Sequence, residues 1–249
     1  MADVLIATDE PVMTLRLDRP DKKNAITVAM YAALAEALER AAANDAIRVV
    51  AILGSGDMFT AGNDLHDFMA QPPVGTDQPV YRFLQAIAAF PKILIAGVQG
   101  RAVGIGTTML LHCDFVVAAE DAVFTMPFID LGLVPEAASS LLFPRMVGPR
   151  IAAKHLILGA PFDAEEALRY GVASEIAAAA ALEARVAALA GEVAAKPAEA
   201  VRIAKAFIRD TGGTIMDRIE AEGRAFGERL QSAEARAAFL SFFAKKSAA

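Results

Sequence analysis

The chain has 249 residues, of which 55% are hydrophobic, enough to bury a substantial core without a long disordered segment. The formal net charge of −6 at pH 7 argues against nucleic acid as a partner, since nucleic-acid-binding proteins usually carry a basic surplus. A single cysteine excludes an intramolecular disulfide and gives no indication of an oxidising compartment.

The sequence also gives expectations about location. The N-terminal MADVLIATDE lacks the basic region and apolar core of a signal peptide. The most apolar window, residues 93–111, is interrupted by Gln99, Arg101 and several glycines, which is typical of a buried core rather than a membrane span. We therefore expect a cytoplasmic protein without a membrane partner.

In chain order, short apolar runs separated by turn residues predict strands and helices over about residues 1–176. The predicted strands are residues 4–8, 12–17, 48–53, 93–98, 115–118, 123–125 and 172–176. Helices are predicted over residues 27–44, 80–90, 139–146, 149–158 and 163–170, with Thr27 and Asp163 as caps. Asp64 is placed to cap a further short helix, and the Pro/Gly-rich residues 71–79 predict a mobile surface loop.

Beyond residue 176 the pattern is helical to the end, with breaks near Pro197 and Gly212-Gly213. We interpret residues 1–195 as the core of the fold and residues 196–249 as a C-terminal helical region. The last segment carries many apolar side chains, among them Phe226, Phe239 and Leu240. These side chains pack either on the body of the same chain or on a neighbouring subunit.

A glycine-rich loop, GRAVGIG at residues 100–106, follows the strand at 93–98, and residues 107–111 after it predict the start of a buried helix. Its spacing is that of a dinucleotide-binding loop, but here it lies behind several strands, and none of the three tyrosines is followed four residues later by lysine. A dehydrogenase is therefore disfavoured. Glycines between a strand and a helix also let main-chain N–H groups approach a ligand and stabilise negative charge.

Other catalytic patterns are weak. His66, His112 and His155 are scattered singly, so no metal site is predicted. Cys113 lies between a histidine and an aspartate, but without a suitably placed base it is better interpreted as a buried structural thiol. Glu136 is a lone acid in the apolar segment LGLVPEAASS. It is either a charge at the start of the helix predicted from residue 139 or a proton-transferring group.

Several segments in order resemble the crotonase (enoyl-CoA hydratase/isomerase) superfamily along essentially the whole chain. They are RPDKKNA (residues 19–25), FTAGNDL (59–65), GRAVGIG (100–106), Cys113-Asp114 and residues 159–171. The resemblance implies an α/β fold of the ClpP/crotonase type, a spiral of ββα units forming two sheets. It also implies a C-terminal helical region that builds a homotrimer or a dimer of trimers.

The same resemblance implies an acyl-CoA thioester substrate and no separate cofactor, because coenzyme A is part of the substrate. Two main-chain N–H groups, at Asn63 and Ile105, would form the oxyanion hole for the thioester oxygen. Coenzyme A would contact residues of two loops and one residue of the C-terminal region, namely Lys22, Lys23, Ala25, Ala61, Asp64, Leu65 and Phe239. Phe239, together with Lys245 or Lys246, would reach the nucleotide half of the coenzyme A bound to a neighbouring subunit.

The resemblance also addresses the reaction. Hydratases of the superfamily carry two glutamates, and the matching positions here are Thr108 and Phe128. The remaining acid, Glu136, matches the segment PE-x-x-SS of peroxisome-type Δ3,Δ2-enoyl-CoA isomerases. A double-bond shift needs one base that moves a proton, and we expect Met126, Phe128, Leu133 and Val134 to keep water from it. Fatty acid metabolism is the implied setting.

Two other functions stay open from the sequence. One is a hydratase or another crotonase-type enzyme that works on acyl-CoA thioesters with Glu136 alone. The other is a non-catalytic acyl-CoA-binding protein that retains the fold, which the absence of both hydratase acids would suit. Acyl chain length and branching are not encoded in a recognisable motif.

Overall fold

The computed structural model describes residues 3–70, 72 and 75–247, and side chains are described through residue 240. Residues 71, 73 and 74 of the predicted 71–79 loop lie outside the described part. The chain divides into two compact units, residues 1–193 and residues 194–249.

Nine strands form two sheets in the described part of the first unit. They are β1 (Val4–Asp9), β2 (Val12–Leu17), β3 (Val49–Gly54), β4 (Ile93–Val98), β5 (Arg101–Val103), β6 (Phe115–Ala119), β7 (Val123–Thr125), β8 (Phe162–Asp163) and β9 (Glu175–Ala177). A six-stranded sheet has the order β1-β2-β3-β4-β6-β9, and a three-stranded sheet has the order β5-β7-β8. Only the β1–β2 and β7–β8 pairs are antiparallel.

The central strands are buried over their whole length. Every residue of β3 and β4 is buried, as the unbroken apolar runs VVAILG and ILIAGV predict for parallel strands covered on both faces. The first two predicted strands are confirmed and form a hairpin, with Asp9 paired to Val12 across a two-residue loop.

Eleven α-helices occupy the described residues. They are α1 (Val28–Ala43), α2 (Leu65–Ala70), α3 (Pro79–Ala88), α4 (Ile105–Thr108), α5 (Ser139–Val147), α6 (Pro149–Leu156), α7 (Ala164–Tyr170), α8 (Leu182–Ala194), α9 (Ala198–Arg209), α10 (Ile215–Leu230) and α11 (Ala233–Ser247). The predicted caps are confirmed, because the side chains of Thr27, Asp64 and Asp163 accept from Met30, Asp67 and Glu166 N–H groups at 3.2, 3.2 and 2.8 Å.

Two predicted elements are displaced. The helix expected from Thr107 begins at Ile105 and tightens into a 3₁₀ turn over Met109–His112. The strand expected at residues 172–176 is wrong at its start, since β9 covers only Glu175–Ala177. Val172 and Ala173 are buried, but both donate to the Ala167 carbonyl at the end of α7, so they close a helix rather than pair in a sheet.

The second unit consists of α9, α10 and α11 in its described part. Eight of its large apolar side chains are exposed: Ile208, Ile215, Met216, Ile219, Phe226, Leu230, Phe239 and Leu240. No helix among the described residues combines the length and the apolar character needed to cross a membrane.

Candidate active site

Two loops of the first unit run side by side and carry the predicted main-chain donors. Thr60 and Ala102 form a parallel bridge, in which Val103 N donates to Thr60 O at 3.1 Å. Asn63 and Ile105 each lie three residues beyond this bridge, in the same chain direction. The pairing therefore brings the two predicted donors to the same end of the two loops.

Both N–H groups are left without a hydrogen-bond partner among the described residues. Ile105 is the first residue of α4, where an N–H has no acceptor within the helix. On the other loop, Ile26 pairs with the backbone on either side of Asn63, accepting from Asp64 N and donating to Gly62 O. This parallel pattern turns the Asn63 N–H away from residue 26. Two unpaired donors at one place can hold an oxyanion.

Glycine makes the close approach of the loops possible. A Cβ on Gly62 would lie 2.7 Å from the Val103 carbonyl oxygen, and the residue has a φ of +88°. A Cβ on Gly106 would lie 2.4 Å from Thr60 Cγ2. Larger residues would separate the loops and with them the N–H groups.

Glu136 lies against the helix that carries Ile105. Its Oε1 accepts from the hydroxyl of the fully buried Thr108 at 2.5 Å, and Thr108 belongs to the same four-residue helix as Ile105. Burial raises the pKa of the Glu136 carboxyl to about 7, and the Thr108 hydrogen bond acts against this rise. A carboxyl with this pKa is suited to accept and return a proton near neutral pH.

A strained turn fixes the Glu136 backbone. Ala137 and Ala138 have positive φ values of 50° and 56°, which residues with a Cβ rarely adopt. Ser139 donates to the Glu136 carbonyl through its N–H at 2.9 Å and its hydroxyl at 2.7 Å. The buried His112 donates from Nε2 to the Ala137 carbonyl at 2.8 Å. These bonds satisfy the carbonyls that the turn exposes to the interior.

The arrangement tests the interpretation of Glu136 as a charge at the start of α5. Ala138 occupies the cap position of α5, and the Glu136 carboxylate bonds to Thr108 rather than to the start of that helix. The helix-cap interpretation is therefore wrong. Thr108 and His112 are four residues apart, so one helical segment contacts both the side chain and the following carbonyl of the Glu136 turn.

The apolar surroundings of Glu136 differ in part from expectation. Met126 and Phe128 are buried, as predicted. Leu133 and Val134 are 51% and 75% exposed, so the prediction that they exclude water is wrong in this chain. Gly132 has a φ of +69°, and Leu133 N turns back to Phe128 O at 2.9 Å, which leaves the following loop at the surface.

The predicted coenzyme A loops are adjacent to each other. Ala61 N donates to Lys23 O at 2.8 Å, which joins residues 22–25 to residues 61–65. Lys22 and Lys23 are exposed, and the Lys23 ammonium pairs with Asp57 at 2.7 Å. Ala25 and Ala61 are half-buried.

The other residues predicted to contact coenzyme A lie in different environments. The Asp64 carboxylate, besides capping α2, pairs with Arg19 at 3.1 Å, and the Leu65 side chain is exposed. Phe239 is exposed in the second unit. The side chains of Lys245 and Lys246 lie outside the described residues.

Three polar residues around this site have no predicted role from the sequence. In the sequence, Thr108 marks only the position of a hydratase glutamate that is absent here. His112 is one of three scattered histidines. Tyr31 is one of the three tyrosines that lack the lysine of a dehydrogenase. Tyr31 is fully buried and its hydroxyl donates to Asn63 Oδ1 at 2.5 Å. No group of three histidine, cysteine or acidic side chains that could hold a metal is found in the part of the chain that the structure describes.

Comparisons with known proteins agree with this architecture. A solved structure from Magnetospirillum magneticum AMB-1, assigned as an enoyl-CoA hydratase/carnithine racemase, is 41% identical with a TM-score of 0.95, covering 98% of this chain and 97% of that one. The chain therefore has the crotonase fold, an α/β architecture with a C-terminal helical region. The profile described as "Enoyl-CoA hydratase/isomerase" matches residues 7–249. The chain belongs to the enoyl-CoA hydratase/isomerase family.

Two curated relatives are isomerases by name. Enoyl-CoA delta isomerase 2 of Homo sapiens is 34% identical over 98% of this chain and 64% of its own length. Enoyl-CoA delta isomerase 3, peroxisomal, of Mus musculus is 36% identical over 70% of this chain and 56% of its own length. The chain thus matches less than two thirds of the length of these relatives. The predicted likeness to isomerases of this kind is confirmed at the level of similarity.

Proposed function

We propose that the chain is a Δ3,Δ2-enoyl-CoA isomerase, which moves the double bond of a 3-enoyl-CoA thioester to the 2-position. The observation that carries the proposal is the half-buried Glu136, whose pKa is raised to about 7 by burial, bonded to the helix that begins at Ile105. The similarity to two enoyl-CoA delta isomerases supports the same assignment.

In the proposed reaction the Glu136 carboxylate removes a proton from C2 of the substrate. The electron pair of that C–H bond delocalises into a dienolate, whose oxygen accepts hydrogen bonds from the N–H groups of Asn63 and Ile105. The protonated Glu136 then delivers the proton to C4, and the double bond lies between C2 and C3. Reactants and products differ only in the position of one proton and one double bond, so no water or second acid is consumed.

The residues around Glu136 favour this shift over hydration. Addition of water requires one group to activate the water and a proton source for the α-carbon. Thr108 and Phe128 hold the positions of the hydratase acids, and Phe128 is buried while Thr108 donates to Glu136. A single carboxylate with a hydroxyl partner suits proton return within one substrate.

Glu136→Gln tests the proposal directly. We expect wild type to convert 3-enoyl-CoA to 2-enoyl-CoA without uptake of solvent oxygen, and the variant to lose about 10²–10⁴-fold in kcat because an amide cannot accept the proton. A panel of 3-enoyl and 2-enoyl thioesters followed by mass spectrometry in H₂¹⁸O measures both outcomes. Glu120→Gln, in an exposed turn, is the matched control.

The other outcomes separate the alternatives. Rapid hydration of 2-enoyl-CoA that survives Glu136→Gln would overturn the isomerase assignment in favour of a hydratase. Binding of acyl-CoA without exchange of its C2 protons in deuterated water would instead identify a non-catalytic acyl-CoA-binding protein.

We also propose that coenzyme A enters only as part of the substrate and lies over residues 22–25 and 61–65. The exposed Lys22 and Lys23 ammonium groups beside these adjacent loops suit the phosphates of the ligand. Phe239 is proposed to contact the nucleotide half from another copy of the chain.

The apolar side chains of the second unit support a homotrimer or a dimer of trimers. Ile215, Ile219, Phe226 and Leu230 recur along one face of α10 and are exposed. We expect the protein to sediment as a trimer or hexamer, and Phe226→Glu to shift it toward monomer because a charge would be buried in the contact. A wild-type monomer at micromolar concentration would contradict this proposal.

A further inference from the structure

A buried tyrosine touches the side chain of one oxyanion-hole residue. The Tyr31 hydroxyl donates to Asn63 Oδ1 at 2.5 Å, linking α1 to the loop whose main-chain N–H is proposed to face the substrate. The proposed hydrogen bond from Asn63 to the thioester oxygen of the substrate uses only the main-chain N–H. Its side chain is therefore free to serve as an anchor for the loop.

The tyrosine ring itself is fixed in place. Tyr31 is 0% exposed, and its ring packs against Phe83 and Phe68 with centroid distances of 5.4 and 6.2 Å. The α1 helix is tied to the same region, because Val28 N donates to Asp67 Oδ2 at 2.7 Å. A ring held from several sides presents its hydroxyl at one position.

The hydroxyl also stays protonated. Burial raises the pKa of Tyr31 well above its usual range, and the negative charge of Glu136 adds to this rise. The phenol is therefore a hydrogen-bond donor near neutral pH, where Glu136 titrates. The Asn63 carbonyl oxygen can only accept, so the direction of the bond is fixed.

The main chain on both sides of Asn63 is held by Ile26, and the Gly62 N–H also donates to the Thr60 hydroxyl at 3.0 Å. Gly62 has a φ of +88° and Asp64 N donates to Ile26 O at 2.9 Å. These bonds hold the main chain of residues 62 and 64, and the Tyr31 hydrogen bond holds the side chain of Asn63 between them. A donor misplaced by a fraction of an ångström loses much of its value to a transition state.

We propose that Tyr31 is a positioning residue of the oxyanion hole, which aims the Asn63 N–H by holding the Asn63 side chain. This inference rests on the proposed oxyanion hole at Asn63 and Ile105. It does not require that the reaction be an isomerisation, because any enolate of an acyl thioester would use the same donor.

The test measures enolate stabilisation without turnover. Acetoacetyl-CoA, a 3-ketoacyl thioester, has an enolate that absorbs differently from the keto form, and the pH titration of its complex gives an apparent pKa. We expect Tyr31→Phe to raise that pKa by about one unit relative to wild type, a tenfold loss, because one hydrogen bond is removed. In turnover assays kcat should fall about tenfold with KM changed less than twofold.

The partner residue provides the second variant. Asn63→Ala removes the same hydrogen bond from the less buried side and keeps the main-chain N–H. It should cause the same shift, and the double variant should add nothing further. Tyr170→Phe, whose hydroxyl contacts Glu166 at 3.2 Å, is the control and should leave the titration unchanged.

Three results would overturn the inference. The first is an unchanged enolate pKa in Tyr31→Phe or, should that variant fail to fold, in Asn63→Ala. The second is additive shifts in the double variant, which would mean that Tyr31 acts by another route. The third is wild-type protein that binds acetoacetyl-CoA without stabilising its enolate, which would remove the oxyanion hole itself. Failure of isomerisation alone would leave the inference standing.

Discussion

The two halves of the proposed site differ in the groups that would carry out the chemistry. In the loops that carry Asn63 and Ile105 the chemistry belongs to the main chain, and glycines hold the positions where a Cβ would collide. In the turn that carries Glu136 the chemistry belongs to one side chain. There the residues with positive φ are alanines, Ala137 and Ala138, rather than glycines.

This difference shows how each half tolerates change. A main-chain N–H donor can belong to a residue with almost any side chain. Its position, however, depends on the space that neighbouring residues leave. A catalytic side chain must keep its identity, and its turn is held in a costly conformation by hydrogen bonds from His112 and Ser139. We therefore expect larger side chains at the glycines to displace the loops. We expect the loss of hydrogen bonds to displace the turn that carries Glu136.

Among variants that leave Glu136 in place, the largest effect should come from adding one methyl group to the loops. In Gly62→Ala the new Cβ would lie 2.7 Å from the Val103 carbonyl oxygen, at a residue with a φ of +88°. The loops must separate, so we expect kcat to fall by about 10²–10³-fold, comparable to the loss of one oxyanion donor. Steady-state kinetics with a 3-enoyl-CoA substrate measures the change.

Gly148→Ala is the matched control for this variant. Gly148 has a φ of +82°, and a Cβ there would meet no atom within 4 Å. It therefore shares the backbone penalty without the collision, and should lose about 1 kcal/mol of stability while keeping kcat. Equal kinetic losses in the two variants would mean that backbone strain, not loop spacing, governs the oxyanion hole.

A smaller effect is expected from the hydrogen bonds of the turn. His112→Phe leaves the Ala137 carbonyl without its donor at 2.8 Å, so the turn should relax and kcat should fall about tenfold. His112→Gln keeps an N–H donor at similar reach and should recover most of the activity. If both variants behave as wild type, the turn does not need this bond to hold Glu136.

The sequence predicts the secondary-structure elements and the candidate residues of the site better than it predicts the contacts between them. Strands such as Ile93–Val98 and caps such as Thr27 follow from local rules of burial and hydrogen bonding, and the structure has both where they were expected. The approach of the two loops was signalled by their glycines. Glu136 was identified as a candidate because an isolated acid in an apolar segment is unusual.

The partners of these groups could not be predicted, since each is a long-range contact. Tyr31 meets Asn63 across 32 residues, Thr108 meets Glu136 across 28, and His112 meets Ala137 across 25. Nothing in the local pattern of α1 or of the 105–112 segment distinguishes these side chains from ordinary core residues. The exposure of Leu133 and Val134 was missed for the same reason, because an apolar sequence does not reveal which way a loop turns.

The smallest expected effect concerns the hydrogen bond between Thr108 and the Glu136 carboxylate, which joins the two halves. With the pKa of Glu136 at about 7, kcat/KM should rise with pH through that value, because only the carboxylate accepts a proton. The Thr108 hydrogen bond stabilises the carboxylate, so Thr108→Val should raise the pKa and move this limb to higher pH by up to about one unit. Activity would then fall a few-fold near pH 6 and stay unchanged near pH 9. Thr108→Ser, which keeps the hydroxyl, should retain the wild-type profile; a shift to lower pH in Thr108→Val would show that the hydroxyl instead favours the protonated acid.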